Sequence, residues 1–297
     1  MIWVTWRQHR TQAIACLALL GAVAIFALAV GTWMRMSFRA DGLPACLAAS
    51  GGAGCPAVLT SFVHRFDNNI AMYINVPLIA IPGLLGIFAG APLLGRELER
   101  GTWRLAWSQT VPRTRWLVTK LGLLTGGLIV FGAAVTALMT WFHQPLDQVT
   151  ARVQPGMSNT EGLTFTASLL CAFGLGVLAG LLLRNVIGAL VVAYLAWEVP
   201  STVVVLLSGP INIPAPAVMR IPCRAGCPGA STVSVPPVTG HLGDFVLGIT
   251  RSAGELVVTY LPASRFWTIQ LIGGGLYLAV AVAALGTAVW LLHRRTT

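Results

Sequence analysis

The chain alternates between long apolar stretches and short polar ones, and the length of the apolar stretches is its most informative feature. Six segments are mostly apolar over about twenty residues or more: 12–34, 71–95, 116–141, 163–183, 186–207 and 268–292. A helix needs about 20 such residues to cross a hydrocarbon core of about 30 Å. The pattern therefore predicts six transmembrane helices in a single transmembrane domain over residues 1–297.

The fourth and fifth segments are separated only by the polar pair Arg184–Asn185, which predicts a tight helical hairpin. None of the long runs shows the strict apolar and polar alternation of barrel strands. In lipid the backbone must satisfy its own hydrogen bonds, as helices do. The predicted fold class is all-α: a polytopic membrane helix bundle of six transmembrane helices, with a short cytoplasmic coupling helix and an extracytoplasmic loop region.

Composition agrees with this class and charge gives it an orientation. The chain is 56% hydrophobic with a mean hydropathy of +0.78, far above a soluble domain of its length. If both termini are cytoplasmic, the inner segments hold eleven bases and two acids, and the outer ones eight bases and six acids. Cytoplasmic loops retain basic residues, so both termini are predicted inside. The net charge of +10 then follows from topology and requires no nucleic-acid partner.

Three small-residue motifs predict close helix packing: Gly86-x-x-x-Gly90, Gly122-x-x-x-Gly126 and Gly176-x-x-x-Gly180. Glycines four positions apart lie on one helix face and let a neighbouring backbone approach. For each motif, packing within the chain is favoured over a dedicated dimer interface.

The predicted outer loops contain four of the six cysteines. Disulfides persist outside a bacterial membrane, and local pairing joins Cys46 to Cys55 and Cys223 to Cys227. Free thiols and a zinc site of four thiolates are the alternatives. The spacing is loose for zinc, so no metal site is predicted.

Residues 208–267 form the largest predicted segment outside the membrane. Its first half is dense in proline and glycine, which predicts an irregular loop. Its second half, "HLGDFVLGITRSAGELVVTYLPASRFW", has a mixed period and favours one or two short amphipathic helices lying on the bundle.

Signatures of catalysis are missing from the sequence. It contains no His-Glu-x-x-His, no Gly-x-Ser-x-Gly and a single lysine, Lys120, outside any Gly-Lys-Ser/Thr motif. A phosphate-binding P-loop needs that lysine. The chain is therefore predicted to be no enzyme, with no catalytic, cofactor-binding or metal-binding residues and no nucleotide site of its own.

Residues 96–115 are the most charged part of this weakly charged chain, with seven arginines and glutamates interleaved with tryptophan. Gly101 can end the preceding helix and Thr102 can cap a new one. Trp103 and Trp107 then share one helix face before Pro112 stops the helix. Such a short amphipathic helix suits docking into another protein. The alternative is a solvated loop whose tryptophans lie at the lipid headgroups.

At "RELERGT", at the Pro112–Arg113 turn and at "LLLRN" (181–185), the sequence resembles bacterial, actinobacterial-like ABC transporter permeases of the type-2 exporter family. The resemblance implies a permease that moves an unidentified substrate outward in the bacterial plasma membrane. A separate cytoplasmic ABC ATPase would bind ATP and magnesium, and this chain would bind no cofactor. The permease would form a homodimer or a heterodimer with a related one. The implied ATPase-docking residues are Arg96, Glu97, Glu99, Arg100, Thr102, Trp103 and Trp107.

Glu198 lies about twelve residues into the fifth span, where a carboxylate costs about 3 kcal/mol on insertion scales. It should therefore face a polar cavity or a partner. Tyr194, Trp197 and Ser201 share its helix face. Because related permeases line their path with spans two and five, this face and Asn75 are candidate path-lining residues. A structural role for Glu198 is the alternative. An ion-coupled secondary transporter or channel using Glu198 is the second function class, and a membrane enzyme or sensor the third.

Overall fold

The computed structural model describes residues 2–50, 56–99, 113–150, 160–208, 215–222, 244–252 and 255–294. It is a bundle of long helices beside a small sheet. A π-helical segment (His64–Ala71) joins α3 to α4, and a 3-10 turn (Ala263–Arg265) precedes α8. The helices are α1 (Ile2–Ala40), α2 (Leu43–Ser50), α3 (Pro56–Val63), α4 (Met72–Glu99), α5 (Arg113–His143), α6 (Gly162–Leu183), α7 (Val186–Ser208) and α8 (Phe266–Arg294).

Six of these helices are long and apolar enough to cross a membrane, which confirms the predicted all-α membrane bundle. α4 and α6 lie at its centre, since 61% and 67% of their spans is buried, whereas the buried share of the other four spans is only 11% or 22%. The exposed side chains are largely aliphatic, as expected for helices that face lipid. α1 continues to Ala40, beyond the predicted limit at residue 34, because Met34 and Phe38 are buried against the bundle.

The contact between α4 and α6 is backbone against backbone. A Cβ on Gly86 would clash with the carbonyl oxygen of Leu169, and one on Gly90 with that of Phe173. From the other side, a Cβ on Gly180 would lie 2.5 Å from the carbonyl oxygen of Ala91. The prediction of packing within the chain is confirmed for the motifs at 86–90 and 176–180, which face each other.

The third small-residue motif behaves differently. A Cβ on Gly122 or Gly126 of α5 would meet no atom of the described chain within 4 Å. For this motif the prediction of packing within the chain is therefore wrong as far as the structure describes it. The reason is position: only 22% of the α5 span is buried, and the face that carries these two glycines is open in the described structure.

The hairpin between α6 and α7 occurs where it was predicted. α6 ends at Leu183, and Arg184 takes the left-handed conformation (φ 52°) while its N–H donates to the Gly180 carbonyl at 3.2 Å. The Asn185 side chain then accepts hydrogen bonds from the N–H groups of Ile187 (3.0 Å) and Gly188 (3.4 Å). These contacts satisfy backbone groups left open at both helix ends, so the turn needs only two residues.

The second span is part of a longer helical run that begins well before the predicted residue 71. α3, the π-helical segment and α4 follow one another from Pro56 to Glu99 without a break. Phe62 holds the early part in place: its ring lies 5.5 Å from that of Phe38 in α1 and 4.9 Å from that of Phe66. A π-helical segment inside an α-helix widens the helix locally, often near functional sites.

The segment before α8 folds as a sheet, so the prediction of amphipathic helices for its second half is wrong. β1 (Ala217–Pro222), β2 (Phe245–Ser252) and β3 (Glu255–Leu261) form an antiparallel sheet in the order β1-β3-β2. β1 also lies within the half that was predicted to be irregular. In β3 the buried residues Leu256 and Val258 alternate with partly exposed ones, the period of a half-buried strand.

Candidate functional site

The end of α4 displays the first charges of the predicted docking loop. Arg96 and Glu99 are exposed in the last turn of α4, and Glu97 lies between them in the same helix. Four further predicted docking residues lie outside the described part of the chain: Arg100, Thr102, Trp103 and Trp107. Their role stays a prediction. α4 thus carries the start of the loop at one end and the tight contact with α6 along its length.

A closed ring of hydrogen bonds joins α6, α7 and α8 inside the bundle. Trp197 Nε1 donates to Ser168 Oγ at 3.1 Å, and Ser201 Oγ donates to the Trp197 carbonyl at 3.0 Å. The Tyr277 hydroxyl donates to Ser201 Oγ at 3.2 Å and is also hydrogen-bonded to Ser168. The Trp197 ring lies against α4, where a Cβ on Gly83 would approach it to 2.7 Å. Trp197 and Ser201 therefore hold four helices together.

Tyr194 and Glu198 lie on the other side of the same helical stripe. Tyr194 is 38% exposed and Glu198 is partly exposed, whereas Trp197 is 5% exposed. The Tyr194 hydroxyl is hydrogen-bonded to Glu198, and its ring centroid lies 6.0 Å from that of Trp197. The four residues predicted to share a face do so, but one edge of that face is buried and the other opens outward.

Tyr194 also borders an apolar groove on the outer surface of the bundle. The groove has a volume of about 270 Å³ and runs between α4 and α7. Its other lining residues are Leu84, Ile87, Phe88, Leu190, Val191 and Leu195. The hydrogen-bonded pair of Tyr194 and Glu198 thus lies beside a surface that is otherwise apolar.

Comparison with models of protein families shows to which family the chain belongs. The family model described as "ABC-2 membrane transporter related" matches residues 17–208. The chain belongs to this family. No curated protein and no solved structure matches it. Membership makes the chain a membrane-spanning transporter subunit of the ABC-2 permease type, as the resemblance at "RELERGT" predicted.

The ABC-2 match covers five spans and the loop between α4 and α5, and it ends with α7. The three-stranded sheet and α8 lie beyond it. Asn75, the remaining candidate path residue, belongs to α4, but its side chain is not among those described, so its role stays a prediction.

The sequence did not reveal a polar cluster at the end of the bundle opposite the C-terminal end of α4. His143 Nδ1, at the end of α5, lies 2.6 Å from Glu161 Oε1, just before α6, and both side chains are buried. Nearby, Gln270 Oε1 accepts hydrogen bonds from Thr164 N (3.0 Å) and Thr164 Oγ1 (2.5 Å). The available signal was that both His143 and Glu161 border predicted spans at the same side. In the described ranges, no three His, Cys, Asp or Glu side chains converge as metal ligands.

Cys46 forms a disulfide, whereas Cys16 and Cys171 are free thiols within spans. The other predicted disulfide residues, Cys55, Cys223 and Cys227, lie outside the described residues. The pairing of Cys46 with Cys55 therefore stays a prediction.

We expect a non-reduced proteolytic digest, analysed by mass spectrometry, to contain the Cys46 peptide linked to the Cys55 peptide. The link should disappear on reduction. A Cys46 peptide linked instead to Cys223 or Cys227 would show that the two outer segments are joined and that local pairing is wrong.

Proposed function

We propose that this ABC-2 family chain is the permease subunit of an ATP-driven exporter in the bacterial plasma membrane. A separate cytoplasmic ATPase subunit, which binds ATP and magnesium, docks on residues 96–115. Two copies of the chain, or this chain and a related permease, form the membrane part. Both termini lie in the cytoplasm, which is the orientation that the excess of basic residues favours.

The observation that carries the proposal is the way α4 is held. The helix that leads into residues 96–115 contacts α6 through backbone atoms at Gly86 and Gly90. Such a contact has no side chains that can yield, so the two helices move as one unit. A displacement of the loop by an ATPase is then transmitted into the centre of the bundle.

The proposed path follows the face of α7 that carries Tyr194 and Glu198, together with the adjoining surface of α4. A carboxylate in a span is tolerated where it faces protein or water. The hydrogen-bonded ring at Trp197 supports this arrangement because it fixes α7 against α6 and α8 behind that face. The partner permease would cover the face from the other side.

Co-purification tests the docking of the ATPase. The tagged chain is isolated from its native membrane in mild detergent, and proteins that accompany it are identified by mass spectrometry. We expect a P-loop ATPase with the wild type and a loss of about tenfold or more with Glu97→Arg plus Glu99→Arg, since charge reversal at a contact disrupts it.

The matched control reverses two acids away from the loop, Asp41→Arg plus Glu255→Arg, and should retain the ATPase. Equal recovery with both double variants would place the docking surface elsewhere. Absence of any ATPase with the wild type, even after crosslinking, would refute the exporter and leave an ion-coupled carrier that uses Glu198.

A further inference from the structure

Glu198 is chemically exceptional within the membrane region. Of the nine acidic residues in the sequence, it alone lies within one of the six described spans. The residue is partly exposed on a surface whose other residues are mostly apolar. A carboxylate in such surroundings needs a compensating polar or charged group.

The fold itself does not require this carboxylate. The hydrogen-bonded ring of Ser168, Trp197, Ser201 and Tyr277 closes without Glu198, and every hydroxyl and indole N–H in it has a partner. Among the described residues, the side-chain hydrogen bond of Glu198 is to Tyr194, which lies outside the ring. One donor leaves most of the acceptor positions of a carboxylate available, since the two oxygens offer about four.

The surroundings of the pair provide two further kinds of contact. The groove between α4 and α7 that Tyr194 borders is otherwise apolar, with Leu84, Ile87 and Phe88 on the α4 wall and Leu190, Val191 and Leu195 on the α7 wall. The exposed ring of Tyr194 lies between this groove and Glu198. An aromatic ring attracts a cation over its face, and does so more strongly where water is excluded.

We propose that this groove, Tyr194 and Glu198 form a binding site for a lipophilic organic cation. The apolar body of the ligand occupies the groove, and its ammonium, phosphonium or guanidinium group lies at Tyr194 and Glu198. An anion is repelled by the carboxylate. A neutral apolar molecule makes contacts in the groove but no electrostatic contact with Tyr194 and Glu198. The site therefore selects charge as well as hydrophobicity.

Pairing of two copies through this face would also favour a cation. A two-fold axis beside α7 would bring the two Glu198 carboxylates toward each other, and like charges at close range in a region of low dielectric repel strongly. A bound cation offsets that repulsion. The inference that this cation is transported rests on the proposed function, whereas the inference that it binds does not.

Binding of tetraphenylphosphonium to the purified chain tests the inference. The radiolabelled cation is equilibrated by dialysis against the chain in lipid nanodiscs, with empty nanodiscs as the blank for partition into lipid. We expect saturable binding to the wild type that weakens about tenfold or more in Glu198→Gln, because that change removes the charge and keeps the shape. Tetraphenylborate, an anion of nearly the same shape, should show no saturable binding to the wild type when it is measured in a separate sample.

Three variants sharpen the result. Glu255→Gln removes an acid from β3 and should leave binding unchanged. Val191→Trp should weaken binding by filling the groove while Glu198 stays in place. Glu198→Arg should abolish binding of the phosphonium and produce saturable binding of the borate, a gain that a merely damaged protein would not show.

The inference is wrong if the wild type shows no saturable binding, or if Glu198→Gln binds the cation as the wild type does. In the second case, a changed oligomeric state of Glu198→Gln would identify the surface as a contact between copies. Absence of any ATPase from the wild-type co-purification, together with saturable cation binding, would refute the proposed exporter alone. Recovery of the ATPase together with absent cation binding would refute this inference alone.

Discussion

Replacing Gly90 by alanine is expected to destabilise the bundle strongly, because this glycine lies in the backbone contact between α4 and α6. The new Cβ would clash with the carbonyl oxygen of Phe173 and lie 3.0 Å from the backbone nitrogen of Val177. Backbone atoms in the middle of a helix cannot rotate away as a side chain can, so α4 and α6 must separate. Overpacking of this kind costs about 1–3 kcal/mol and sometimes more.

Thermal unfolding in detergent, followed by tryptophan fluorescence, measures the effect. A loss of about 3 kcal/mol corresponds to a fall in Tm of about 6 °C or more for a chain of this size. Gly90→Leu should leave little monodisperse protein. Gly126→Ala is the matched control, because it makes the same change in α5 where no atom of the described chain lies within 4 Å. A fall for Gly90→Ala no larger than for Gly126→Ala would contradict the rigid contact.

The six spans could be predicted from the sequence because the thickness of the bilayer fixes the length of each apolar run. Each predicted span overlaps a long helix, and the hairpin at Arg184–Asn185 falls between two of them. The continuation of α1 to Ala40 and the helical run from Pro56 were not predictable in this way. They depend on contacts such as Phe38 with Phe62, which join residues far apart in sequence.

The strands were mispredicted for a local reason. In β3 the sequence "ELVVTYL" places Val257 between the buried Leu256 and Val258, so three apolar residues in a row hide the alternation. In β2 the pairing with β3 shifts between Val246 and Gly248, which breaks the period of two. Both irregularities make a short strand resemble an amphipathic helix in sequence.

The sequence predicted which residues of α7 share a face, but not how that face packs against the other helices. Helical periodicity correctly placed Tyr194, Trp197 and Ser201 on one face of α7. It could not show which edge is buried, since that depends on Ser168 from α6 and Tyr277 from α8. The same holds for His143 and Glu161, which meet only because the ends of α5 and α6 converge.

Replacing Trp197 by alanine is expected to loosen all four helices around it. The indole is 5% exposed, and its loss leaves a void beside Gly83 and removes the donor to Ser168 Oγ. Truncation of a buried aromatic costs about 3–5 kcal/mol. The unfolding measurement should show this loss for Trp197→Ala and little change for Trp267→Ala, which removes an indole that is 60% exposed at the start of α8. Similar losses for the two variants would show that Trp197 holds nothing together.

A double substitution separates this packing role from general damage. In the wild type, Gly83→Ala should be destabilising, because its Cβ would approach the Trp197 ring to 2.7 Å. In the Trp197→Ala background the same methyl group enters the void and should restore part of the lost stability. The two effects of Gly83→Ala thus have opposite signs, a coupling of about 1 kcal/mol or more that contacting residues produce and distant ones do not. Additive losses would mean that α4 and α7 are not in contact at the Trp197 indole. The proposal that the path follows α7 and the adjoining surface of α4 would then be contradicted.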